Sequence, residues 1–337
     1  MRRTVGLAIV LAWLASGTIA SPGRLLDSVE SVDTDAQPSS IVLHAKRQML
    51  LVSSFGGDVV QSFALRDGCR VSAGKSYAAG SGPLDLALDA VRDLVYVAYF
   101  SEDRLGLFQV SERGELKELG RYATGRGPSA VLLGPAGKQV FVSNAFDGTV
   151  TVHGRTEDNQ LLRERTVKTV ERPRGLLVHP NGRFLYVADE EAPLLEIFAV
   201  EGSAGLRSVA KYTMQGVVEG LAVHPSLPFL YVSEGGANQI SAYRVGPDGR
   251  LSLAGKAAVQ SFPQSLAVDE KGESLFVLCR RTNDIHSLDV SDGAGLKRLG
   301  SFPSFEYPED LVVTPGGRCL YVVASAYGRL HALKVTR

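Results

Sequence analysis

The strongest constraint on this chain is a repeat of 45 residues that runs through nearly all of its length. Proline marks the same point in six copies, and Val218 takes that place in the remaining one; the prolines are Pro38, Pro83, Pro128, Pro173, Pro263 and Pro308. Counted from each of these starting points, positions +3 and +5 are aliphatic in all seven copies, and position +14 is always valine. A fixed period of this size is typical of stacked or radially arranged units.

Each copy has the pattern of four short strands. Segments rich in Val and Tyr alternate with period two, and turn sequences such as His179-Pro180-Asn181-Gly182 separate them. We place strand A at positions +1 to +6, B at +11 to +16, C at +21 to +28 and D at +33 to +40. The sequence therefore predicts an all-β fold, for which a linear solenoid and a closed propeller are the two candidate architectures.

The ends of the repeat region favour the propeller. The seventh copy stops at Arg337 after strand C, which leaves a sheet edge without a partner. Residues 24 to 36 can supply the missing D strand, because Leu26 and Val32 lie seven periods before the places of its aliphatic residues. We predict a seven-bladed β-propeller of four-stranded blades, closed by this N-terminal strand, with blades starting near residues 38, 83, 128, 173, 218, 263 and 308.

The first twenty residues are typical of a secretory signal peptide. Arg2 and Arg3 precede an apolar run over 5–14, and small residues lead to Ala20, after which we expect cleavage. The run is too short to span a bilayer, so we expect a secreted or periplasmic protein with one propeller domain over 21–337 and no membrane span. The chain has 36 basic and 36 acidic side chains, which argues against nucleic acid as a partner. We expect a monomer.

Cysteine and histidine positions suggest structural roles. Cys69, Cys279 and Cys319 are odd in number and lack metal-ligand spacing, so we expect buried free thiols rather than a disulfide framework or a zinc site. Three histidines share position +6, where we expect a structural role at the A to B turn: His44, His179 and His224. The other three lie on strand C, where we expect surface positions: His153, His286 and His331. This leaves no histidine near the channel as a general base.

Position +2 of strand A is small or acidic, as expected for side chains that face a narrow central channel. Strand B returns to the same end of the blade, so the starts of A and the ends of B should form the channel mouth. We predict that its polar residues bind ligand: Asp85, Asn144, Asp189, Glu219, Glu234, Arg280, Glu309 and Asp310. With Arg174 and Glu190 included, seven acids face two bases, and we expect an acidic face. No cofactor is expected, although the acids leave a bound cation such as Ca²⁺ open.

The segment 174–188, RGLLVHPNGRFLYVA, resembles the lactonase-type seven-bladed propellers, a family that includes 6-phosphogluconolactonase-like enzymes and YVTN repeat proteins. The resemblance covers nearly all of the chain after residue 20. It implies an Arg and a Glu sixteen residues apart, which Arg174 and Glu190 match, with Arg174 binding a lactone carbonyl or carboxylate and Glu190 acting as base. Gly175 stands where the family has a histidine. Other polar places of the family hold different residues here: Ser129, Asn144, Gly148 and Gly235.

Three functions from different classes are consistent with these observations. The main hypothesis is an exported propeller that binds a small molecule or a protein through its acidic face without turning it over. The alternative is a hydrolase or isomerase of a small lactone that uses Arg174 and Glu190. A third is a cation-dependent surface or adhesion protein.

Overall fold

The computed structural model describes residues 26–202 and 205–336, and the predicted signal peptide lies outside them. Over these residues the chain forms 28 strands, β1 to β28, in seven four-stranded antiparallel sheets. The first three blades consist of the following strands: β2 (Pro38–His44), β3 (Met49–Ser54), β4 (Val59–Ala64) and β5 (Lys75–Ala78); β6 (Pro83–Asp89), β7 (Leu94–Tyr99), β8 (Arg104–Val110) and β9 (Leu116–Ala123); β10 (Pro128–Leu133), β11 (Gln139–Asn144), β12 (Thr149–Arg155) and β13 (Leu161–Lys168).

Blades 4 to 6 follow the same order. Their strands are β14 (Pro173–Val178), β15 (Phe184–Asp189), β16 (Leu194–Glu201) and β17 (Gly205–Thr213); β18 (Val218–Val223), β19 (Phe229–Glu234), β20 (Gln239–Val245) and β21 (Leu251–Ala258); β22 (Pro263–Val268), β23 (Ser274–Cys279), β24 (Asp284–Asp289) and β25 (Lys297–Pro303). The helical segments of the described residues are single 3₁₀ turns, and none of them has the length or hydropathy for crossing a membrane: Ala45–Arg47, Asp67–Cys69 and Pro135–Gly137.

Blade 7 closes the ring with a strand from the other end of the chain. It contains β26 (Pro308–Val313), β27 (Cys319–Ala324) and β28 (Arg329–Val335), and β1 (Leu26–Asp33) pairs with β28 in antiparallel register from Leu26↔Val335 to Asp33↔Arg329. Leu26 is buried, as the repeat phase predicted. The inner strand of each blade contacts that of the next, including β2 with β26. The predicted seven-bladed propeller and its closure by the N-terminal strand are confirmed.

Strand A begins at the proline itself, one residue earlier than predicted. The pairing skips a residue there, so that Pro38 lies opposite Ser54 and Ser40 opposite Ser53. Proline has no N–H to donate to a neighbouring strand, and a strand start with a bulge is one of the few sheet positions that suit it. The same irregularity occurs at Val218 in blade 5, so the bulge belongs to the blade geometry rather than to proline.

Strand B forms the middle of each blade and is buried on both faces, because neighbouring blades pack against it. The seven valines at position +14 are all fully buried. Position +13 carries the largest side chains of this layer, which are also buried: Leu51, Tyr96, Phe141, Tyr186, Tyr231, Phe276 and Tyr321. Burial of one such side chain contributes about 2 kcal/mol, so the repeated B strands contribute strongly to the stability of the fold.

The cysteine prediction was wrong for two of the three residues. Cys69 and Cys319 form a disulfide with a Cα–Cα distance of 5.5 Å across 250 residues of sequence, and Cys279 is free and buried. The pair could not be predicted from the spacing of the cysteines, because the two residues are far apart in the sequence. Ring closure brings the 3₁₀ turn of blade 1 beside the start of β27 in blade 7. The disulfide therefore joins the first and last blades covalently.

The prediction of surface positions for the strand C histidines was also wrong. His153 and His286 are fully buried, and His331 is 6% exposed. Strand C still packs between blades at these positions, and burial lowers the pKa of His331 to about 4. The position +6 histidines lie where a structural role was expected: His44 Nε2 lies 2.8 Å from Asp93 Oδ1 of the next blade, and His224 Nε2 lies 3.0 Å from the Gly272 carbonyl oxygen.

Candidate functional site

A cavity of about 280 Å³ lies where the inner strands of all seven blades begin. Every residue at position +2 lines it, as predicted: Ser40, Asp85, Ala130, Gly175, Gly220, Ser265 and Asp310. Arg174, Glu219, Gln264 and Glu309, all at position +1, form the part of its wall contributed by blades 4 to 7. Glycine is required at 220, because a Cβ there would come within 2.1 Å of the Gln264 carbonyl oxygen of the adjacent inner strand.

Asp85 and Asp310 connect the inner strands. Asp85 Oδ2 accepts a hydrogen bond from the Val131 N–H of the next blade at 2.9 Å, and Asp310 Oδ2 accepts one from the Ile41 N–H across the ring closure at 3.0 Å. The Ser40 hydroxyl lies between them, 3.0 Å from Asp85 Oδ1 and 3.3 Å from Asp310 Oδ2. One hydroxyl has one proton to donate, so it can serve only one of the two carboxylates as donor.

Burial raises the pKa of Asp85 to about 6, and burial likewise raises the pKa of Asp310. A protonated Asp85 would donate to Ser40 Oγ and leave the Ser40 hydroxyl proton for Asp310. These two carboxyl groups and the Ser40 hydroxyl therefore form a hydrogen-bonded network in the cavity wall that connects blades 7, 1, 2 and 3.

Arginines and glutamates form two ion-pair groups at the mouth. Glu190 Oε1 accepts a hydrogen bond from Arg172 Nη2 at 2.7 Å, and its Oε2 lies 3.4 Å from Arg174 Nη1. On the other side, Arg280 Nη2 donates to Glu309 Oε1 at 3.1 Å. Glu309 also accepts hydrogen bonds from the Ser325 hydroxyl at 2.6 Å and from Gln264 Nε2 at 3.2 Å. The Arg174 side chain lines the cavity and remains half exposed, and its contact with Glu190 is the longest of these pairings.

Glu219 differs from the other cavity carboxylates. Within residues 26–202 and 205–336 it has no hydrogen-bond donor, whereas Asp85, Asp310 and Glu309 each have several. Burial raises the pKa of Glu219, although Arg174 and Arg280 oppose that shift by stabilising its charge. Its side chain lies against Gly235, where a Cβ would come within 2.9 Å of Glu219 Cγ. The glycine that departs from the family pattern therefore provides the space for this carboxylate.

Four of the predicted ligand-binding residues do not line the cavity. Arg280 lies at its rim, and the other three lie within the blades: Asn144, Asp189 and Glu234. All three are buried, and they hold the loop that precedes strand A of their blade. Asn144 Oδ1 accepts the Gly125 N–H at 2.9 Å, and Asp189 Oδ2 accepts the Arg172 N–H at 3.0 Å. Glu234 accepts the N–H groups of two residues, 215 and 216. The predicted excess of acids at the mouth is therefore smaller, because two of the seven acids bind backbone within the blades.

Cys279, Asp284 and His286 bring three metal-ligand residue types together in blade 6, all buried. His286 Nε2 lies 3.1 Å from Asp284 Oδ2, and burial raises the pKa of the Cys279 thiol. The equivalent positions of blade 5 hold a hydrogen-bonded network of Glu234 with residues 239 and 241. We therefore assign the blade 6 group to the same loop-holding role. The cation considered at the channel mouth stays a prediction.

The structure brings Asp85, Arg174, Glu219, Glu309 and Asp310 to the cavity and places Glu190 and Arg280 one contact away at its rim. Sequence reasoning missed Gln264, which lines the cavity, and placed Arg172 near the mouth without predicting its ion pair with Glu190. Gln264 could have been found from its position in the repeat, since it occupies position +1 with Arg174, Glu219 and Glu309.

A seven-bladed propeller with a charged site on its axis defines the class of this protein. The family model described as "Lactonase, 7-bladed beta-propeller" matches residues 10–132, 120–219 and 218–315. The chain belongs to this lactonase propeller family. No curated protein matches the sequence at a significant level.

Solved structures with the same fold have diverse functions. The periplasmic gluconolactonase of Pseudomonas aeruginosa is 20% identical with a TM-score of 0.70, over 86% of this chain and 88% of that one. A candidate 6-phosphogluconolactonase from Bacteroides fragilis is 17% identical with a TM-score of 0.73, over 85% and 87%. Hydrazine synthase of Kuenenia stuttgartiensis is 16% identical with a TM-score of 0.75, over 90% and 97%. At these identities the likeness extends to the fold alone.

Proposed function

We propose that this protein hydrolyses a small, unphosphorylated lactone in the axial cavity. The main support for the proposal is the environment of Glu219 in the cavity. This carboxylate is partly buried and has no hydrogen-bond donor among the described residues, and Arg174 and Arg280 stabilise its charge. The main hypothesis from the sequence is non-catalytic binding through an acidic face, and lactone hydrolysis is the alternative. Membership of the lactonase family favours hydrolysis.

In the proposed reaction, Arg174 binds the carbonyl oxygen of the lactone and Glu219 takes a proton from a water molecule. The water oxygen attacks the carbonyl carbon, and the guanidinium of Arg174 stabilises the negative charge that develops on the carbonyl oxygen. The bond between that carbon and the ring oxygen then breaks, and the ring oxygen receives the proton held by Glu219. The product is a hydroxy acid, and Glu219 returns to its ionised form.

Glu219 suits the role of base better than Glu190. A general base works best when its pKa lies near the working pH, and burial moves the pKa of Glu219 upward. Glu190 binds two guanidinium groups, so protonation of its carboxylate would disrupt both ion pairs. We assign Glu190 to positioning Arg174 and Glu309 to positioning Arg280.

Two further observations support an exported enzyme and an unphosphorylated substrate. A disulfide persists in oxidising compartments, and Cys69–Cys319 fits a secreted or periplasmic location. Four carboxyl groups line the cavity, and they disfavour the two negative charges of a phosphate group: Asp85, Glu219, Glu309 and Asp310.

The base assignment can be tested with a matched pair of glutamate variants. We expect Glu219→Gln to lower kcat for an unphosphorylated lactone by about a hundred-fold or more, because the attacking water loses its base. Glu190→Gln should mainly raise KM, since it frees Arg174 to move. Steady-state hydrolysis at neutral pH measures both values. A larger loss of kcat in Glu190→Gln than in Glu219→Gln would reverse the two roles.

A further inference from the structure

The rim of the cavity is divided into an uncharged half and a charged half. The residue that follows strand B, at position +17, reads Phe55, Phe100, Ala145, Glu190, Gly235, Arg280 and Ser325 from blade 1 to blade 7. Position +1 has the same division, with Ser39, Leu84 and Ser129 in blades 1 to 3 and Arg174, Glu219, Gln264 and Glu309 in blades 4 to 7. The proposed hydrolytic groups all belong to the charged half.

Three phenylalanine rings form a continuous shelf on the uncharged half. The ring centroids of Phe55 and Phe100 are 6.2 Å apart, and those of Phe100 and Phe146 are 5.2 Å apart. The rings lie over Gly82 and Gly127, where a Cβ would come within 3.1 Å of Phe55 and 2.6 Å of Phe146. Phe146 is 48% exposed, so the shelf presents apolar surface to solvent. We call Phe55, Phe100 and Phe146 the aromatic shelf.

The aromatic shelf contacts the charged half of the rim through Phe146 and Arg172. The guanidinium carbon of Arg172 lies 5.1 Å from the centroid of Phe146, and the same guanidinium binds Glu190. Glu190 in turn contacts Arg174 in the cavity wall. A molecule with its polar end at Arg174 could therefore extend across the rim onto the rings.

The polar groups beside the aromatic shelf have partners within the protein, including the exposed Arg126, which pairs with Asp147 next to Phe146. The Ser129 hydroxyl donates to the Pro173 carbonyl oxygen at 2.7 Å, and the Ser39 hydroxyl donates to that of Pro83 at 3.1 Å. The nearby carboxylates of Asp58 and Asp103 accept the backbone N–H groups of Gly82 and Gly127. The rings are also tilted against each other by 57° and 63°, so they do not form one flat platform for a sugar ring. This half of the rim suits an alkyl chain better than a polyhydroxylated group.

We propose that the substrate is an amphipathic lactone whose ring enters the charged half of the cavity while an unbranched alkyl or acyl chain lies on the aromatic shelf. This inference rests on the proposed hydrolytic function and names its substrate class. Full removal of one CH₂ group from water is worth about a four-fold change in affinity. A CH₂ group that lies on the shelf is removed from water on one side only and gains about half of the corresponding free energy. We therefore expect kcat/KM to rise about two-fold for each such group.

The test uses the mature protein and a series of γ-lactones with alkyl substituents from methyl to octyl, beside gluconolactone. We expect kcat/KM to increase along the series and to exceed the value for gluconolactone. Phe100→Ala should flatten the dependence on chain length while the value for the methyl lactone changes little. Tyr327→Ala is the control, because Tyr327 is an exposed aromatic residue of blade 7 that lines a different pocket, with Phe305 and Arg329. It should leave the chain-length dependence intact.

Calorimetric binding of the matching alkyl lactams, which resist hydrolysis, separates this inference from the proposed function. If lactones are hydrolysed but chain length has no effect on kcat/KM or on lactam binding, the shelf has no role in recognition and the hydrolytic function stands. If no lactone is hydrolysed while lactam affinity rises with chain length and falls in Phe100→Ala, the shelf inference stands and the hydrolytic function fails. A preference for gluconolactone that Phe100→Ala leaves unchanged would also overturn the shelf inference.

Discussion

Among single residues, Asp85, a partly buried group in the cavity wall, links the cavity to the stability of the fold. Its pKa of about 6 lies above the ordinary value of 3.8, so the folded protein retains this proton to higher pH than the unfolded chain does. As pH rises from about 4 to about 6, the unfolded chain ionises first and folding becomes less favourable. The loss of stability from this group is complete above its folded pKa and amounts to at most about 3 kcal/mol.

We expect Asp85→Asn to remove this pH dependence. Its amide oxygen can accept the Val131 N–H, and its NH₂ can donate to Ser40 Oγ, so the hydrogen bonds of the network are preserved without a buried charge. Urea unfolding should show a smaller decrease in the free energy of unfolding between about pH 4 and pH 7 in the variant than in the wild type. An equal decrease in both proteins would show that Asp85 is not the titrating group.

At the element scale, a polar side chain at the end of strand B holds the loop before strand A, although its identity differs between blades. Asn144, Asp189 and Glu234 perform this role in blades 3, 4 and 5. In the sequence, position +16 varies from blade to blade while the neighbouring aliphatic positions stay constant. A ligand-binding position would show the same pattern of variation. Only the structure separates the two, because adjacent positions +16 and +17 point to opposite sides of the strand end.

We expect Glu234→Ala to destabilise the fold by about 3 kcal/mol, because two backbone N–H groups and the Ser241 hydroxyl lose their buried acceptor. Glu191→Ala is the matched control, since the Glu191 side chain is 67% exposed and forms a surface ion pair with Arg172. It should change stability by less than about 0.5 kcal/mol. Equal free energies of unfolding for the two variants would contradict the loop-holding role.

The blade architecture could be predicted from the sequence, because the aliphatic residues at positions +3, +5 and +14 recur in every repeat. These residues pack between neighbouring blades. The cavity-lining residues at position +2 followed from strand alternation for the same reason. The role of Glu219 could not be predicted in this way, since it depends on the ion pairs of Arg174 and Arg280 and on the space left by Gly235. The charges of Arg174 and Arg280 act on Glu219 from the two neighbouring blades, so they leave no signal within one repeat.

At the scale of the whole molecule, the ring is closed twice, by hydrogen bonds between β1 and β28 and by the Cys69–Cys319 disulfide. A crosslink that spans 250 residues restricts the unfolded chain strongly, which predicts a stabilisation of about 5 kcal/mol. We expect the fold to persist without the disulfide, because the pairing of β1 with β28 closes the same ring.

We expect Cys319→Ala to lower Tm while the purified variant remains folded. A thiol assay on the denatured, unreduced wild-type protein should detect only Cys279, and all three cysteines should react after reduction. Three reactive thiols before reduction, or an unchanged Tm in the variant, would contradict a stabilising disulfide.

If Glu219 is the general base of a lactonase, as we propose, its ionisation should control the pH dependence of kcat/KM. For an unphosphorylated lactone, we predict that kcat/KM of the wild-type protein rises with pH through a pKa above 4.5, the ordinary value for glutamate. Glu219→Gln should lack this rise and retain only residual activity. Hydrolysis no faster than the spontaneous rate, or the same pH dependence in both proteins, would contradict the proposed function.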